Sequence, residues 1–290
     1  MTNNMSTTFR IATWNLDHPK HGNRFPEQMK KLEEVSAAGG FPDILVLTET
    51  SPGADLSYMG YVGVSSFPYR PLKNSKKERN SSAIWSKWPI ECVLSTYDDE
   101  TATCAKIKTS FGSLLVYGTI LTYDKDRWPD ETGARWSLHD REIERQGGDW
   151  NQIHGPFPDE RQGGDWNRIR SLFPDVPFIV AGDFNQVRYP EKDLFSRKGK
   201  PLYYFSPKGR CLLNSALEKN NLTCLTEVDF GAERMLKPDP RKGYYRHNVD
   251  HICVTAGRFD VQEVGAWDHF TKSHELTDHN GVFVDLAVSS

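Results

Sequence analysis

The sequence predicts an α/β fold built on mixed β-sheets, and three observations carry that prediction. Residues 9–49 read as strand, helix, strand, which makes two neighbouring strands parallel. Residues 104–120 read as two strands joined by a tight turn at Phe111-Gly112, which makes an antiparallel pair. Residues 178–181, Phe-Ile-Val-Ala, form the short apolar run of a buried strand and lead straight into Gly182-Asp183-Phe184-Asn185.

Taken in order, the first strand covers residues 9–16 and ends in Trp14-Asn15-Leu16-Asp17. A helix over 26–38 follows: a proline is tolerated in its first turn, Met29, Leu32 and Val35 fall on one stripe, and Gly39-Gly40 stop it. Residues 43–48 are a second buried strand with Glu49 at its end, and 82–85, 104–108 and 113–120 are strand-like. The polar loop between Pro71 and Asn80 holds Lys73, Lys76, Lys77 and Arg79; it is either a solvated face or a basic wall for an anionic substrate.

Residues 144–159 (ERQGGDWNQIHGPFPD) and 160–175 (ERQGGDWNRIRSLFPD) are a tandem duplication, identical at twelve of sixteen positions. Two units are too few for a solenoid. One continuous helix, turning by about 100° per residue, would place the copies on nearly opposite faces. One copy is therefore expected to pack as the helix leading into residues 177–186, and the other to be a surface insertion, with a lid or partner surface as its functional alternative.

The chain then turns basic at Arg188, Lys192, Arg197, Lys198 and Lys200. Residues 210–220 read as a helix, with Leu213, Ala216, Leu217 and Asn220 at helical spacing and Asn221 as its stop. The loop 231–248 interleaves Arg234, Lys237, Arg241, Lys242, Arg246 and His247 with Tyr244 and Tyr245, which suits either a grip on a phosphate backbone or an ordinary loop. Residues 249–254 and 282–288 are the last strands, with Thr277-Asp278-His279 on the entry to the second.

At 290 residues, 37% hydrophobic and 26% charged, the chain has the composition of a soluble globular protein with a sizeable core. A net charge of −3 argues against a strongly basic, sequence-independent nucleic-acid binder, yet leaves room for a local basic groove. The five scattered cysteines, with no CxxC pair, suit a reducing compartment and exclude a disulfide framework or zinc site. The first ten residues lack the pattern of a signal peptide, and no apolar stretch is long enough for a membrane span, so the expected location is cytoplasmic. No protein partner is implied.

The chemistry is carried by polar residues at strand ends: Asn15, Glu49, Asp183, Asn185, Asp250, Asp278 and His279. Successive strand residues alternate faces, so Asp183 and Asn185 project to one side and Phe184 to the other. Carboxylate oxygens with an asparagine carbonyl are hard ligands suited to Mg²⁺, or to Mn²⁺ in its place. One histidine among them points to phosphoester hydrolysis, the metal and His279 neutralising phosphate charge while a carboxylate handles the water.

The stretches ATWNLD, LVLTET, AGDFNQ, VDHICV and TDHNGV resemble the five signature segments of the endonuclease/exonuclease/phosphatase superfamily, from about residue 9 to 288. Pancreatic-type deoxyribonuclease, exonuclease III-type abasic-site endonucleases, neutral sphingomyelinases and inositol polyphosphate 5-phosphatases belong to it. The resemblance implies a four-layer α/β/β/α sandwich, two mixed β-sheets packed face to face, as a single catalytic domain over 1–290. It implies Glu49 as principal metal ligand, with Asn15, Asp278 and Asp17 as further metal-site residues. Asp183 would position or deprotonate the attacking water, Asn185 would bind phosphate, and Asp250 would orient the catalytic His279. His251, on the opposite side of its strand, is assigned to packing. The strand at 114–121 departs from the family: relatives place a His or Tyr near its end, where this chain has Ile120, with Tyr123 further on.

The expected activity is Mg²⁺-dependent hydrolysis of phosphodiesters by in-line attack of a metal-site water, with an endo- or exonuclease first. Tyr123, Arg188, Arg246, Lys77 and Arg79 are the expected substrate-binding residues. A phospholipid, inositol phosphate or small nucleotide is the alternative substrate, and an inactive binding module the second alternative.

Overall fold

Strands covered on both faces need apolar residues at successive positions, and the central strands of this chain supply them. The computed structural model describes residues 8–18, 24–69, 78–121, 137–147, 164–188, 207–243, 245–271 and 274–289. In chain order its elements are β1 (Thr8–Asn15), α1 (Arg24–Gly39), β2 (Ile44–Thr50), β3 (Val62–Ser65), β4 (Asn80–Ser86), β5 (Ile90–Leu94), β6 (Thr103–Thr109) and β7 (Gly112–Ile120). There follow α2 (Ser137–Gly147), α3 (Asp165–Leu172), β8 (Phe178–Asp183), α4 (Pro207–Lys219), β9 (Leu222–Cys224), β10 (Asp250–Thr255), β11 (Phe259–Trp267) and β12 (Gly281–Val288).

The strands form two six-stranded sheets, ordered β11-β12-β1-β2-β4-β3 and β5-β6-β7-β8-β10-β9. Each is mixed: β1–β2 and β7–β8 are parallel, and the other pairs are antiparallel. Alternation along β2 sends Ile44 and Val46 into the core between the sheets, where they join Ile179, Ala181, Ile252 and Val284. Leu45 and Leu47 point outward with Ala12 and Trp14 to the helix face of α1, which contributes Met29 and Leu32 from the stripe expected of it. The other sheet turns Leu115, Tyr117, Phe178 and Val180 outward to Ile143 of α2, Trp166 and Ile169 of α3, and Leu213 of α4. The result is the four-layer α/β/β/α sandwich. Fully burying one such leucine or valine contributes about 1.5–3 kcal/mol.

Four strands have no counterpart in the sequence reading: β3, β5, β9 and β11. All four are edge strands. An edge strand is solvated along one side, so β3 and β5 are mostly exposed and β11 carries an exposed Asp-Val-Gln-Glu run in place of an apolar one. Glu49 lies inside β2, one residue before its end, where its positive φ of 48° interrupts the ladder between Thr48↔Ser82 and Thr50↔Asn80. Asn221 follows α4 with φ 48°, the left-handed turn expected of a helix stop.

The second copy of the duplication forms α3, with Asp165 and Trp166 buried, and leads into β8 as expected. The first four residues of the other copy are not an insertion but the last turn of α2, where Gln146 accepts from Thr119 Oγ1 (2.9 Å) and donates to Glu142 (2.6 Å). The remainder of that copy, at 148–159, lies outside the described residues, as do Lys77 and Tyr123. Among the described residues no helix is long and apolar enough to cross a membrane.

Candidate active site

The parallel strands β1, β2, β7 and β8 all finish at one end of the sandwich, and the antiparallel β10 and β12 begin there. Polar residues just after or at those strand ends are therefore gathered at one edge, although they lie far apart in sequence.

Asp183 is the last residue of β8 and Asp250 the first of β10, directly opposite each other in register. The adjoining Phe184 N–H donates to Val249 O at 2.9 Å, so the two aspartates occupy a non-hydrogen-bonded pair, in which side chains come closest. Both are 1% exposed. Like charges placed opposite each other out of water destabilise a sheet, so the arrangement needs a compensating partner. His279 supplies it: Nδ1 is 2.6 Å from Asp250 Oδ2, and Nε2 is 4.0 Å from Asp183 Oδ2. Burial opposes the imidazolium, but Asp250 and Asp183 outweigh it and hold His279 well above its ordinary pKa. Burial pushes the Asp183 carboxyl up to about 8, with Asp250 and Glu49 adding to the effect against the opposing charge of His279.

Asn15 links the two sheets. Its Nδ2 donates to Glu49 Oε1 and to Asp183 Oδ2, both at 3.0 Å, and its Oδ1 accepts from the Asp17 N–H at 2.8 Å. These partners fix the amide orientation. Asn15 thus bridges the two carboxylates through its N–H groups. The Asp17 carboxylate turns to Arg24 at 3.4 Å. Asn185, at φ 49°, donates its backbone N–H to Asp183 Oδ1 (2.8 Å) and Nδ2 to Leu121 O (3.1 Å). Asp278 stands at the rim, its side chain 46% exposed, 3.7 Å from His279 Nε2 and 3.8 Å from Arg246.

The expected substrate contacts divide. Arg246 lies at the rim between Asp278 and Glu275. Arg79 pairs through its backbone with Tyr69. Arg188 does not face the site: its guanidinium is nearly buried against Glu227, in a cleft shared with α4. Ile120, opposite Asp183 in the β7–β8 register, carries no proton donor. His251 lies on the other face of β10 as expected, between Thr226 and the Gln186 carbonyl.

Several residues that complete the site went unread in the sequence. His18, at φ 39°, sets Nε2 at 3.4 Å from Glu49 Oε2 and 3.2 Å from the Tyr69 hydroxyl. The loop carrying His279 is tied down by Trp14 Nε1 donating to the His279 carbonyl (2.9 Å), Thr277 Oγ1 to Asn15 O (2.8 Å), and Gln28 Nε2 to Leu16 O and Leu276 O (2.9 and 3.0 Å). The only available signal was adjacency: His18 follows Asp17, and Trp14 and Thr277 flank motif residues.

Among the described residues two groups have the composition of a cation site, Asp183-Asp250-His279 and Asp239-His269-Glu275. The second is already neutralised, by Arg241 on Asp239 (2.8 Å) and by Lys242 and Arg246 on Glu275 (2.8 and 3.4 Å). It serves as an ion-pair network holding the 239–246 loop beside the site. Around the first group, hard carboxylate oxygens outnumber cations, and Asp250 Oδ1 is buried with no hydrogen-bond partner among the described residues. His279, held charged by Asp250, cannot ligate a cation, so the hard donors that fit a divalent cation are the neighbouring carboxylate oxygens, Glu49 foremost, joined to Asp183 through Asn15 at 3.0 Å each.

The family model described as the Endonuclease/Exonuclease/phosphatase family matches residues 12–279. No curated protein is significantly similar in sequence. Among solved structures, the chain is similar to the 3′ phosphatase NExo from Neisseria bound to product DNA hairpin, at 17% identity and TM-score 0.62, covering 95% of this chain and 98% of that one. It is similar to the human Nocturnin catalytic domain with bound sulfate, at 18% identity and TM-score 0.58, covering 97% and 94%. An AP endonuclease from Archaeoglobus fulgidus matches at 19% identity and TM-score 0.57, covering 97% and 100%. At these identities the likeness is one of fold.

Proposed function

The chain belongs to the endonuclease/exonuclease/phosphatase family, and from that premise we propose that it is one catalytic domain that hydrolyses phosphodiester bonds of a nucleic acid with the help of Mg²⁺. The observation that carries this reading is the buried Asp183–Asp250 pair with His279 between them. Two opposed carboxylates are costly as structure and useful as a site that separates a base from a charged histidine.

Glu49 would hold the cation, beside Asn15 and with Asp278 at the rim, and Mn²⁺ could substitute. When bound, the ion neutralises charge on the phosphate oxygens. Asp183, raised to about 8, takes up the proton of the attacking water. His279, kept charged by Asp250, donates Nε2–H to a phosphate oxygen as negative charge develops there. Asn185 has one amide N–H left for phosphate after donating to Leu121.

A DNA product in one structural neighbour and Arg246 at the rim support a nucleic-acid substrate. The five free cysteines support a reducing, cytoplasmic setting. Product analysis with DNA, RNA, an inositol phosphate and a phospholipid tests the substrate. Shortened nucleic acid is expected. Hydrolysis of the inositol phosphate or phospholipid with nucleic acid left intact would overturn the nucleic-acid assignment and keep the chemistry.

Two further outcomes follow from the geometry. Glu49→Gln is expected to weaken Mn²⁺ binding, followed by electron paramagnetic resonance, by about 10- to 100-fold, in line with loss of one charged oxygen ligand or its support. Unchanged binding would remove Glu49 from the metal site. Asp250→Asn is expected to lower kcat by about 10²-fold. With Asp250 gone, His279 loses its main stabilising charge and its pKa falls. The alkaline limb of the pH–rate profile, where imidazolium is lost, should then move to lower pH. A limb that stays in place would mean His279 does not act in its charged form.

A further inference from the structure

We propose that Cys224 and Cys253 form an oxidisable dithiol, a modification site in which a hydroperoxide converts Cys224 to a sulfenic acid and Cys253 closes it to a disulfide. The two residues face each other across β9 and β10. Leu225 N–H donates to Ile252 O and Ala256 N–H to Asn221 O, both at 2.9 Å, so hydrogen-bonded pairs lie one and three positions away. Antiparallel pairs alternate, which makes Cys224↔Cys253 a non-hydrogen-bonded pair. There Cα atoms stand about 4.5 Å apart, inside the roughly 4.4–6.8 Å that a disulfide spans. A pair of this register is within disulfide reach.

The surroundings distinguish the two thiols. Cys253 is buried, and burial pushes its thiol up. Cys224 is half-buried and lines an open cleft of about 410 Å³ with Arg188, Glu227 and Asn221. Burial opposes its ionisation, but hydrogen bonding to Cys253 and the proximity of His251 and Arg188 hold it well below the ordinary thiol range. Cys224 lines an open cleft and Cys253 is buried behind it, which places Cys224 as the attacking and Cys253 as the resolving cysteine. In the first step the Cys224 thiolate attacks the peroxide, an S–O bond forms as the O–O bond breaks, and an alcohol or water leaves. In the second, Cys253 sulfur attacks that sulfur and the hydroxyl departs as water, so the peroxide is reduced and two thiols are oxidised. The bond would tie the stem of the 225–252 segment, which carries Arg241, Lys242 and Arg246.

The test is peptide mapping of the reduced protein after graded hydrogen peroxide, with remaining thiols alkylated. The expected result is a Cys224–Cys253 cross-linked peptide, reversed by dithiothreitol, formed before the exposed Cys92 and Cys211 are oxidised. Cys253→Ser should leave Cys224 as a sulfenic acid trapped by dimedone, and Cys224→Ser should leave Cys253 a free thiol. The wild-type map decides the matter if either variant fails to fold. Oxidation of Cys92 and Cys211 while Cys224 and Cys253 both remain thiols would overturn the proposal, as would oxidation of Cys224 without the cross-link.

Discussion

Asp183→Asn is expected to lower kcat for phosphodiester cleavage by about 10³-fold, within the range for loss of a general base, while KM changes little. Asparagine has the same shape and can still accept from the Asn185 N–H, but it cannot take a proton from water. The same change should stabilise the metal-free protein, because burial, with Asp250 and Glu49, disfavours this carboxylate by more than the charge of His279 favours it. The Asp183 pKa is higher in the folded chain than in the unfolded one, so the folded state binds the extra proton. The carboxylate destabilises the fold above its unfolded pKa, and the penalty grows until pH passes about 8. The gain in Tm for Asp183→Asn in chelator should therefore be small at pH 5 and larger at pH 8. A variant that keeps wild-type kcat would remove Asp183 from the chemistry.

Gly182→Ala is expected to unfold the site from within. Gly182 has φ 142°, a conformation that costs a residue with a side chain on the order of 1–3 kcal/mol. A Cβ there would lie 1.9 Å from the Thr119 carbonyl oxygen, the residue paired with Gly182 across β7 and β8. Neither backbone can yield without breaking the ladder between the strands that deliver Ile120 and Asp183. A loss of at least about 3 kcal/mol in urea unfolding is expected, together with loss of activity. Gly60, by contrast, has open space around its Cβ position, so Gly60→Ala meets only the backbone strain of φ 82°. Equal, small effects at both glycines would contradict the close approach of β7 and β8.

The inner strands were legible because they lie between two apolar layers. Residues 43–48, 113–120 and 178–181 have near-continuous apolar runs, and each is an inner strand of its sheet. The four edge strands were not, since solvent along one side relaxes the pattern and β3 and β5 carry exposed residues at most positions. The polar residues at inner strand ends were legible only as a set: each alone suits a turn or cap, and their repetition at the ends of several strands is what marks a site.

What the sequence lacked was partnership. Nothing in it paired His18 with Glu49 and Tyr69, or Trp14 with the His279 carbonyl, contacts between segments far apart in the chain. The basic residues show the limit most clearly. Arg246 and Arg188 have the same composition signal, yet one stands at the rim with Asp278 and the other is nearly buried against Glu227. The tandem duplication was legible as a repeat but not in its packing: the second copy places Trp166 in the outer core, and the first four residues of the other copy form the last turn of α2.

The most direct test is cleavage of single-stranded DNA, double-stranded DNA and RNA by the wild-type protein and His279→Ala, each in Mg²⁺ and in chelator. Cleavage is expected to require the metal and to fall by about 10²- to 10⁴-fold in the variant, since the proton donor to the phosphate is gone. Cleavage that persists unchanged in His279→Ala, or in chelator, would contradict the proposed mechanism.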